Sequence, residues 1–309
     1  MKKLIIYTIL LISIPFLIVN YIKIPDTKLK EIELNYSSNI IVRVKRENGN
    51  IDNLLLEEYI TGVVAGEMPA SFELEALKAQ CVASRTYTLR KLNSSKDEEY
   101  DVTDTVLNQV YLDESSLKEK WQNNNTVYIN KKKTAVNETS MEYLDYNGEI
   151  INAMYFSTSN GYTEDSGVIF ETSLPYLKSV ESSYDEEVAS AFNSTTSMSL
   201  QEFYEKLNLE YNENLNIEIL EKSSTNRVLK LKINGVEFSG KDLYTNLKLR
   251  SYDFNITKLG TNVEIATKGY GHGVGMSQYG AQGMAKKGYN YQEILSHYYT
   301  GTTLKKIEK

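Results

Sequence analysis

The chain has 309 residues, of which 41% are hydrophobic, so it is long enough to bury a sizeable core in one large domain or two small ones. Its formal net charge is −7, which argues against nucleic acid or an anionic surface as a partner attracted by the field of the whole protein. Any anionic ligand must therefore be held by local cations. The single cysteine, Cys81, excludes an intramolecular disulfide and a paired-cysteine metal site, and we expect it to pack as a small apolar side chain.

A charge-free apolar run occupies residues 4–22, directly after two lysines. Its length is close to the roughly 20 residues that an α-helix needs to cross a bilayer. No small-residue cleavage site follows, so we predict an uncleaved signal anchor over residues 1–24, with a cleaved signal peptide as the alternative. The two lysines would stay in the cytoplasm, residues 25–38 would form a polar stalk, and residues 39–309 would lie outside the cytoplasm as an exported domain.

The first predicted elements of the exported part are a strand and a helix. Apolar and basic residues alternate over residues 40–46, which is typical of a strand. Asn53 is then the candidate N-cap of a helix that runs up to Met68, because Pro69 forces the residue before it into an extended conformation. Glu67 is thereby placed where this helix ends.

A second helix is predicted to begin immediately beyond this break. Ser71 is its candidate N-cap, and Glu73 and Glu75 fall in the first turn, where carboxylates suit the positive end of a helix. Its apolar residues are distributed over more than one face, which indicates a largely buried helix. Arg85 is therefore an unusual cation on an internal element.

The middle of the chain is richer in strands. Asn147 and Gly148, at the centre of the segment DYNGEII, are a specific signal for a two-residue hairpin turn. The strand beyond this hairpin leads through Tyr155 into a polar loop, STSNGYTEDSG, which covers residues 157–167. This loop contains several hydrogen-bonding side chains and is a candidate wall of a binding site.

The last part of the chain combines an insert, strands and a glycine-rich segment. Residues 184–223 have a more helical and acidic composition, and strands are predicted around residues 228–235 and 263–271. Glycine occupies every second position of residues 269–275, so one side of this backbone segment has no side chains. Another chain or a ligand can therefore approach the backbone closely there. The pattern does not match the nucleotide-binding glycine motifs. Two further helices are predicted, over residues 276–287 and around residues 291–299.

Glu67 is the best candidate for chemistry in these elements. A carboxylate at a helix C-terminus faces the negative end of the helix dipole, and partial burial disfavours its charged form, so both effects raise its pKa toward neutrality. That is the profile of a general acid. The alternative is a solvated turn residue or one paired with a lysine. Glu75, by contrast, has a ready structural role in the first turn of its helix.

Arg85 and His272 each allow two interpretations. Arg85 either holds an anionic group of a ligand or forms a buried structural ion pair. His272, one of only two histidines, is either a site residue on the glycine-rich loop or a structural hydrogen-bond donor. The two histidines lack the spacing of a zinc hydrolase motif, and G-x-S-x-G is absent, so neither a catalytic metal nor a serine nucleophile is predicted. A cysteine nucleophile is disfavoured because Cys81 lies among alanines in mid-helix.

Four blocks of this sequence, in the same order, resemble the stage II sporulation protein D family. The first and last are long, and together the blocks span the exported region from about residue 53 to residue 302. The blocks are residues 54–90, residues 108–111 (NQVY), residues 153–165 with residues 175–180, and residues 269–302.

The resemblance implies a cell-wall glycan substrate and identifies the glutamate of the E-M-P motif, here Glu67, as the catalytic residue. The implied activity is that of a lytic transglycosylase, which cuts peptide-stripped peptidoglycan strands to 1,6-anhydromuramoyl ends during forespore engulfment. One acid/base residue is enough for this reaction, because the C6 hydroxyl of the sugar is the nucleophile and no water needs activation. The related amidase-enhancer proteins supply the rival hypothesis, a non-enzymatic module that localises or stimulates a cell-wall amidase. A structural wall-binding anchor is a third.

The resemblance also implies partners and a location. We expect a partner amidase similar to stage II sporulation protein P, a membrane scaffold protein, and a location at the membrane between forespore and mother cell. No cofactor is expected, and the zinc site of some family members is not carried over, because Phe156 and Asn160 stand near its position here. Tyr244 stands near a position where an arginine is common in the family, so a role for that arginine is in doubt.

The overall prediction is an α+β exported domain rich in antiparallel sheets. Its groove is expected between the Glu67 turn, the loop of residues 157–163 and the glycine-rich loop around His272. The residues expected to bind substrate there are Arg85, Tyr155, Ser157, Thr158, Ser159, His272 and Gln278.

Overall fold

The computed structural model describes residues 30–34 and 39–308. The predicted anchor of residues 1–24 lies outside the described residues. Within the described part, no helix is both long and apolar enough to cross a membrane. The architecture is mixed α+β as expected, and antiparallel pairs outnumber parallel ones in its sheets.

The first described elements form a small sheet and two packed helices. Strands β1 (Ile41–Lys45) and β2 (Ile51–Leu55) make an antiparallel hairpin, and β3 (Val102–Thr103) adds to β1 in parallel. Helix α1 (Leu56–Glu67) begins directly after β2, and helix α2 (Leu74–Ser94) packs against α1 after the predicted break. The strand expected over residues 40–46 is thus confirmed.

Both predicted N-caps are wrong. Asn53 lies within β2, where it pairs with Arg43 of β1, so pairing with a distant strand overrides its capping preference. The N-cap position of α2 is occupied by Glu73, two residues after Ser71, and its side chain makes no capping hydrogen bond. Glu75 does lie in the first turn, where its carboxylate accepts from Lys78 Nζ at 2.6 Å and from the backbone N–H of Tyr291 at 2.9 Å. Its expected structural role is confirmed.

A second group of elements packs against α1 and α2. The hairpin turn predicted at Asn147 and Gly148 is confirmed, with φ angles of 54° and 90°. The chain returns to this sheet near its end, which gives the strand order β14-β4-β5. The elements of this group are α3 (Glu114–Trp121), a short 3-10 turn (Gln122–Asn124), α4 (Asn125–Glu138), β4 (Glu142–Tyr146), β5 (Glu149–Ile150) and β14 (Thr303–Lys306).

The larger hydrophobic core surrounds α2. This helix packs against α1 and α4, and both helices predicted near the C-terminus contact it as well. Cys81 is fully buried in this core, as expected, and burial raises the pKa of its thiol to about 12. Such a thiol is uncharged at neutral pH and serves as a small apolar packing group.

A short parallel strand pair brings two distant segments together beside this core. The pair joins the residues just before the polar loop to those just after the glycine-rich loop. The elements of this region are β6 (Tyr155–Phe156), α5 (Ser166–Phe170), α6 (Tyr184–Val188), β13 (Met276–Ser277), α9 (Gln278–Lys286) and α10 (Tyr291–Tyr298).

Residues 193–268 form a smaller unit with its own hydrophobic core. Two three-stranded antiparallel sheets, ordered β10-β9-β8 and β11-β12-β7, enclose this core together with two helices. The helical character expected of residues 184–223 is therefore limited to α6 and one further helix, since this stretch also contains two strands. The elements of the unit are β7 (Asn193–Ser199), α7 (Leu200–Lys206), β8 (Ile217–Lys222), β9 (Val228–Ile233), β10 (Val236–Ser239), α8 (Gly240–Asn246), β11 (Phe254–Leu259) and β12 (Asn262–Lys268).

Buried polar contacts join the smaller unit to the polar loop. Arg227 is 3% exposed, donates from Nη2 to the carbonyl of Tyr162 at 2.9 Å, and lies 3.7 Å from a carboxylate oxygen of Glu164. Asn160 donates to the Asp253 carboxylate at 2.8 Å. Because buried charges and amides are costly without partners, these contacts fix the smaller unit against the loop.

Candidate active site

A groove of about 550 Å³ opens between the end of α1, strand β6 and the glycine-rich loop of residues 269–275. The three segments that were expected to bound it all contribute to its lining, through Glu67, Ser157 and His272. A fourth wall comes from the smaller unit, through Tyr244. Among the described residues that line this groove, Glu67 is the only carboxylate.

Glu67 is the last residue of α1. Met68 follows in an extended conformation, with φ −117° and ψ 142°, as expected for a residue before Pro69. The carbonyl groups at this helix end are bound by Lys132, a fully buried side chain of α4. Its ammonium nitrogen lies 3.2 Å from the carbonyl of Val64, 2.9 Å from that of Met68 and 3.4 Å from that of Pro69.

This lysine stabilises the turn that carries Glu67. The last carbonyls of a helix have no partners within the helix and carry the negative end of its dipole, so a cation there is favourable. Burial nevertheless lowers the pKa of Lys132 to about 7. Whether charged or neutral, the amine can donate hydrogen bonds to these carbonyls.

Three hydrogen-bond donors surround the Glu67 carboxylate. The backbone N–H of Val110 donates to Oε1 at 2.8 Å, Gln278 Nε2 donates to Oε2 at 3.3 Å, and the Tyr155 hydroxyl is also bonded to it. These bonds lower the pKa of Glu67, but burial is the larger influence and raises it above the ordinary value. The sequence-based expectation of a raised pKa agrees with this direction, with desolvation as the cause.

Tyr155 is held in place by one neighbour in a loop and one on a helix. Its hydroxyl accepts from Gln109 Nε2 at 3.0 Å and lies within hydrogen-bonding reach of Ser84 on α2. Burial and the nearby Glu67 raise the pKa of this phenol well above its ordinary value. Tyr155 therefore keeps its proton and can donate to Glu67 throughout the neutral pH range.

His272 lies in the groove lining as a neutral imidazole. Its Nδ1 accepts from the backbone N–H of Val274 at 3.1 Å, and its ring contacts Phe156 and Phe170 with centroid separations of 5.7 and 5.4 Å. Burial lowers its pKa to about 4, although a bond to the backbone of Tyr155 opposes that shift. His272 therefore has both of the positions that the sequence left open: it lines the groove, and its hydrogen bonds fix the glycine-rich loop.

The S-T-S loop contributes less to the groove than expected. Ser157 lines it, but Thr158 pairs with the backbone of Tyr270 in both directions and is buried. Ser159 is fully buried, and its backbone N–H donates to Asp185 at 2.8 Å. The structure does not bring Thr158 and Ser159 into the groove, and their hydrogen bonds are used to hold the loop.

Arg85 does not reach the groove either. It is fully buried and donates to both oxygens of Glu57, at 3.0 Å from Nε and 2.6 Å from Nη2. A third bond reaches the carbonyl of Glu142 at 3.1 Å. A side chain buried in this way cannot contact a substrate. Arg85 instead forms the buried ion pair that the sequence left open as the alternative.

Most of the aromatic and apolar lining was not predicted from the sequence. Most of these residues lie in or beside the sequence blocks, and only Tyr244 is far from them along the chain. The sequence contains 24 tyrosines, so tyrosine alone carries no signal. Val106 and Leu107 at the rim are 87% and 80% exposed, which is unusual for such side chains. The lining residues that were not predicted are Tyr87, Val106, Leu107, Asn108, Val110, Ala153, Met154, Phe156, Phe170, Tyr244, Tyr270 and Gly271.

The residues near the S-T-S loop do not fit a metal ion. No cluster of three histidine, cysteine, aspartate or glutamate side chains suited to a metal occurs in residues 30–34 and 39–308. Asn160 uses its amide nitrogen as a donor to Asp253 and to the carbonyl of Thr225, and Phe156 offers no ligand atom. The chemistry available in the groove is therefore proton transfer by one carboxylate with neutral donors around it.

Comparison with known proteins agrees with the resemblance seen in the sequence motifs. A family model described as "Stage II sporulation protein" matches residues 45–146. Stage II sporulation protein D of Bacillus subtilis (strain 168) is 38% identical over 266 residues, which are 84% of this chain and 77% of that protein. The protein of the same name from Bacillus amyloliquefaciens is 38% identical over 290 residues, covering 92% and 84%. The amidase enhancer of B. subtilis is 32% identical over 303 residues, covering 79% of this chain and 40% of that protein.

Proposed function

Because the chain belongs to the stage II sporulation protein D family, we propose that it is a lytic transglycosylase acting on peptide-stripped peptidoglycan during sporulation. The observation that carries this proposal is a single carboxylate with a raised pKa, Glu67, in a groove otherwise lined by neutral and aromatic side chains. Sugars suit such a lining, because their polar hydroxyls bond to amides and their apolar faces pack on aromatic rings.

The reaction requires two proton transfers by the same group. Protonated Glu67 donates its proton to the glycosidic oxygen, and the bond from that oxygen to the anomeric carbon of the muramoyl residue breaks. The C6 hydroxyl of the same residue then attacks the anomeric carbon, and its proton returns to the Glu67 carboxylate. The products are a 1,6-anhydro end and a new free hydroxyl on the neighbouring sugar, so no water is consumed and Glu67 is restored.

The geometry around Glu67 supports both steps. Burial keeps a larger fraction of the acid protonated near neutral pH than an exposed glutamate would have, which favours the first step. The donors Val110, Gln278 and Tyr155 stabilise the carboxylate that forms between the steps. A hydrolase with two carboxylates would need a second acid across the scissile bond, and the described lining contains none.

Location and partners form part of the same proposal. Residues 30–34 contact α4, where Asn130 Oδ1 accepts from the backbone N–H of Ile32 at 2.8 Å and Lys133 pairs with Glu31. If residues 1–24 anchor the chain, this contact would hold α4 close to the membrane surface. We propose a catalytic domain between forespore and mother cell, with a cell-wall amidase that supplies stripped strands and a membrane scaffold protein as partners.

The amidase-enhancer relative supports a second candidate function. Its name describes an enhancer, and the similarity covers 79% of this chain. The exposed apolar side chains of Val106 and Leu107 at the rim of the groove are available to a protein partner. In this alternative the protein stimulates an amidase without cutting glycan, and both activities are compatible in one protein.

Mass analysis of glycan products distinguishes these functions. Purified protein is incubated with peptide-stripped glycan strands in the absence of amidase, and the ends formed are identified. We expect 1,6-anhydromuramoyl ends, and we expect Glu67→Gln to reduce their rate of formation by about 100- to 10,000-fold, the range typical of a lost general acid.

A matched control uses the exposed Glu73, six residues from Glu67. Glu73→Gln makes the same chemical change outside the groove and is expected to retain the parent rate. Retained activity in Glu67→Gln would refute the catalytic assignment. Faster peptide release when the protein is added to an amidase, with no anhydro ends from glycan alone, would favour the enhancer.

A further inference from the structure

A second pocket of about 220 Å³ lies next to the groove, at Tyr87 and Met154. The two cavities share these two side chains in their linings. The second pocket is lined in addition by Arg90, Lys91 and Ser94 near the end of α2. A ligand that fills the groove over Glu67 can therefore extend into a cavity with two adjacent cations.

Helix α2 carries both the cations and a residue close to Glu67. Ser84, Tyr87, Lys91 and Ser94 are spaced by three or four residues, so they follow one face of the helix. Ser84 lies at the Tyr155 hydroxyl, which in turn bonds Glu67. Lys91 is seven residues further along, a distance of about 10 Å at the rise of an α-helix. The cations thus lie on the same helix as Ser84, which contacts the Tyr155 hydroxyl beside the catalytic carboxylate.

Neither cation is neutralised within the described part of the chain. Arg90 donates one hydrogen bond, from Nη1 to the carbonyl of Ile150 at 2.8 Å, and Lys91 Nζ lies 5.7 Å from the centre of the Tyr87 ring. No ion pair involves either side chain among residues 30–34 and 39–308. The chain carries 41 acidic against 34 basic residues, so local cations are needed wherever it binds an anion.

We propose that this second pocket is a subsite for a carboxylate of the glycan, namely the lactyl carboxylate of a muramoyl residue. The inference rests on the proposed glycan substrate and deepens it. That carboxylate is an uncharged amide while a stem peptide is attached, and removal of the peptide creates one negative charge on the sugar. A guanidinium binds a carboxylate through two parallel hydrogen bonds, and the neighbouring ammonium adds a second attraction.

The consequence is selection for stripped strands by charge. The described lining of the groove itself has no Lys or Arg, and the second pocket adds two such side chains beside it. An attached peptide would convert the lactyl carboxylate to an uncharged amide, place its own carboxylates further from the sugar, and add bulk in a pocket of small volume. Arg85, the cation that the sequence suggested for an anionic substituent, is buried away from the groove, and Arg90 with Lys91 takes that role.

A binding experiment with a chemically altered glycan tests the subsite. Peptide-stripped strands are compared with the same strands after their carboxylates have been converted to methylamides, which removes the charge and keeps the sugars. Binding is measured by calorimetry on the Glu67→Gln protein, so that cleavage does not interfere. We expect the free carboxylates to bind at least about tenfold more tightly, a difference of about 1.4 kcal/mol, because hydrogen bonds to charged groups are stronger than those between neutral groups.

Two variants locate the effect. In the same Glu67→Gln background, Arg90→Gln with Lys91→Gln is expected to bind both glycans equally, at the weaker affinity. Lys241→Gln with Lys258→Gln removes two exposed charges that lie outside both cavities and is expected to keep the full preference. Equal affinity of the parent for both glycans would overturn the subsite, and so would a preference that survives in the Arg90/Lys91 variant.

The result of this binding experiment can be distinguished from the result of the cleavage experiment that tests the proposed function. If the unsubstituted protein forms no anhydro ends but prefers free carboxylates through Arg90 and Lys91, the transglycosylase proposal fails and the subsite stands. If it cleaves and binds stripped and methylamidated strands equally well, the transglycosylase proposal stands and the subsite is refuted.

Discussion

At the scale of single residues, Glu67 is governed by two opposing influences. Burial raises its pKa, while the hydrogen bonds from Val110, Gln278 and Tyr155 lower it by a smaller amount. An acid in this balance is protonated more often near neutral pH than an exposed glutamate, yet donors for its conjugate base are already in place. A residue that must first give and then accept a proton benefits from both properties.

His272→Asn is expected to keep most of the activity. Burial lowers the His272 pKa to about 4, so the ring is neutral at neutral pH and does not supply a proton. An asparagine oxygen can accept the N–H two residues further on, as the imidazole accepts that of Val274. A changed hydrogen bond contributes about 0.5–1.5 kcal/mol, so we expect kcat to fall by less than about tenfold.

His272→Leu is the matched comparison, because it fills similar space without an acceptor and should lose more activity than His272→Asn. The rate is measured between pH 6 and pH 8, where the profile of His272→Asn should keep the shape of the parent profile. A loss in His272→Asn as large as that in Glu67→Gln would assign the imidazole a direct part in the chemistry.

Lys132 is expected to make the free energy of unfolding rise with pH above neutrality. In the unfolded chain a lysine keeps its proton up to about pH 10.4. In the folded protein burial lowers the Lys132 pKa to about 7, so between pH 7 and pH 9 the unfolded chain binds more protons. The free energy of unfolding therefore rises with pH in this window, because the penalty for burying the charged amine disappears as the proton leaves.

We expect Lys132→Met to reduce this rise, which is measured by urea unfolding at pH 7 and pH 9. Lys133→Met serves as the control, because Lys133 pairs with Glu31 instead of contacting the end of α1. An equal rise in the parent and in Lys132→Met would contradict the prediction and assign the pH dependence to other groups.

At the scale of elements, the parallel pair of β6 and β13 assembles the groove. The backbone N–H of Met276 bonds the carbonyl of Met154 at 3.1 Å, which puts Tyr155 beside the glycine-rich loop. Gly275 makes this approach possible, because its φ is +82° and an added Cβ would lie 2.0 Å from the carbonyl oxygen of Met154. A side chain at this position would separate the two strands.

Gly275→Ala is expected to destabilise the protein by about 2–5 kcal/mol, the sum of an unfavourable positive φ and a steric clash. Gly148→Ala is the matched control, since Gly148 has a φ of +90° with no atom within 4 Å of an added Cβ, and about 1–2 kcal/mol is expected there. Urea unfolding measures both. Equal losses would show that the close approach at Gly275 carries no energetic weight.

Sequence reasoning was successful for features fixed by neighbouring residues. The end of α1 follows from Pro69, and the hairpin follows from Asn147 and Gly148, so both were predicted correctly. Asn53 was misjudged because its conformation is fixed by pairing with Arg43 in another strand. Two strands in residues 184–223 were missed for the same reason, since their partners lie elsewhere in the smaller unit.

The site residues that belong to local motifs could likewise be predicted from the sequence. Glu67, Tyr155, Ser157, His272 and Gln278 all line the groove, because each belongs to a motif whose local geometry carries information. The role of Arg85 depends on a carboxylate 28 positions earlier in the chain, and no local pattern shows which of 41 acidic residues will meet it.

At the scale of the whole molecule, the groove depends on how two hydrophobic cores are placed. Glu67 and the loops of the groove lie beside the larger core, and the smaller unit adds Tyr244. Where the smaller unit meets the glycine-rich loop, the guanidinium carbon of Arg250 lies 4.1 Å from the centre of the Tyr270 ring. The buried contacts of Arg227 with Tyr162 and Glu164 hold this arrangement. Such long-range placement determines the aromatic lining, which is why the sequence alone did not reveal it.

In the proposed reaction, Glu67 catalyses cleavage with the sugar's own hydroxyl as the nucleophile. The most direct test is to digest peptide-stripped glycan in water enriched in heavy oxygen and to measure the mass of the new muramoyl ends. We expect anhydro ends without heavy oxygen from the unsubstituted protein, and no such ends from the Glu67→Gln protein. Reducing ends that contain one heavy oxygen atom would show that water is the nucleophile and would refute the transglycosylase mechanism.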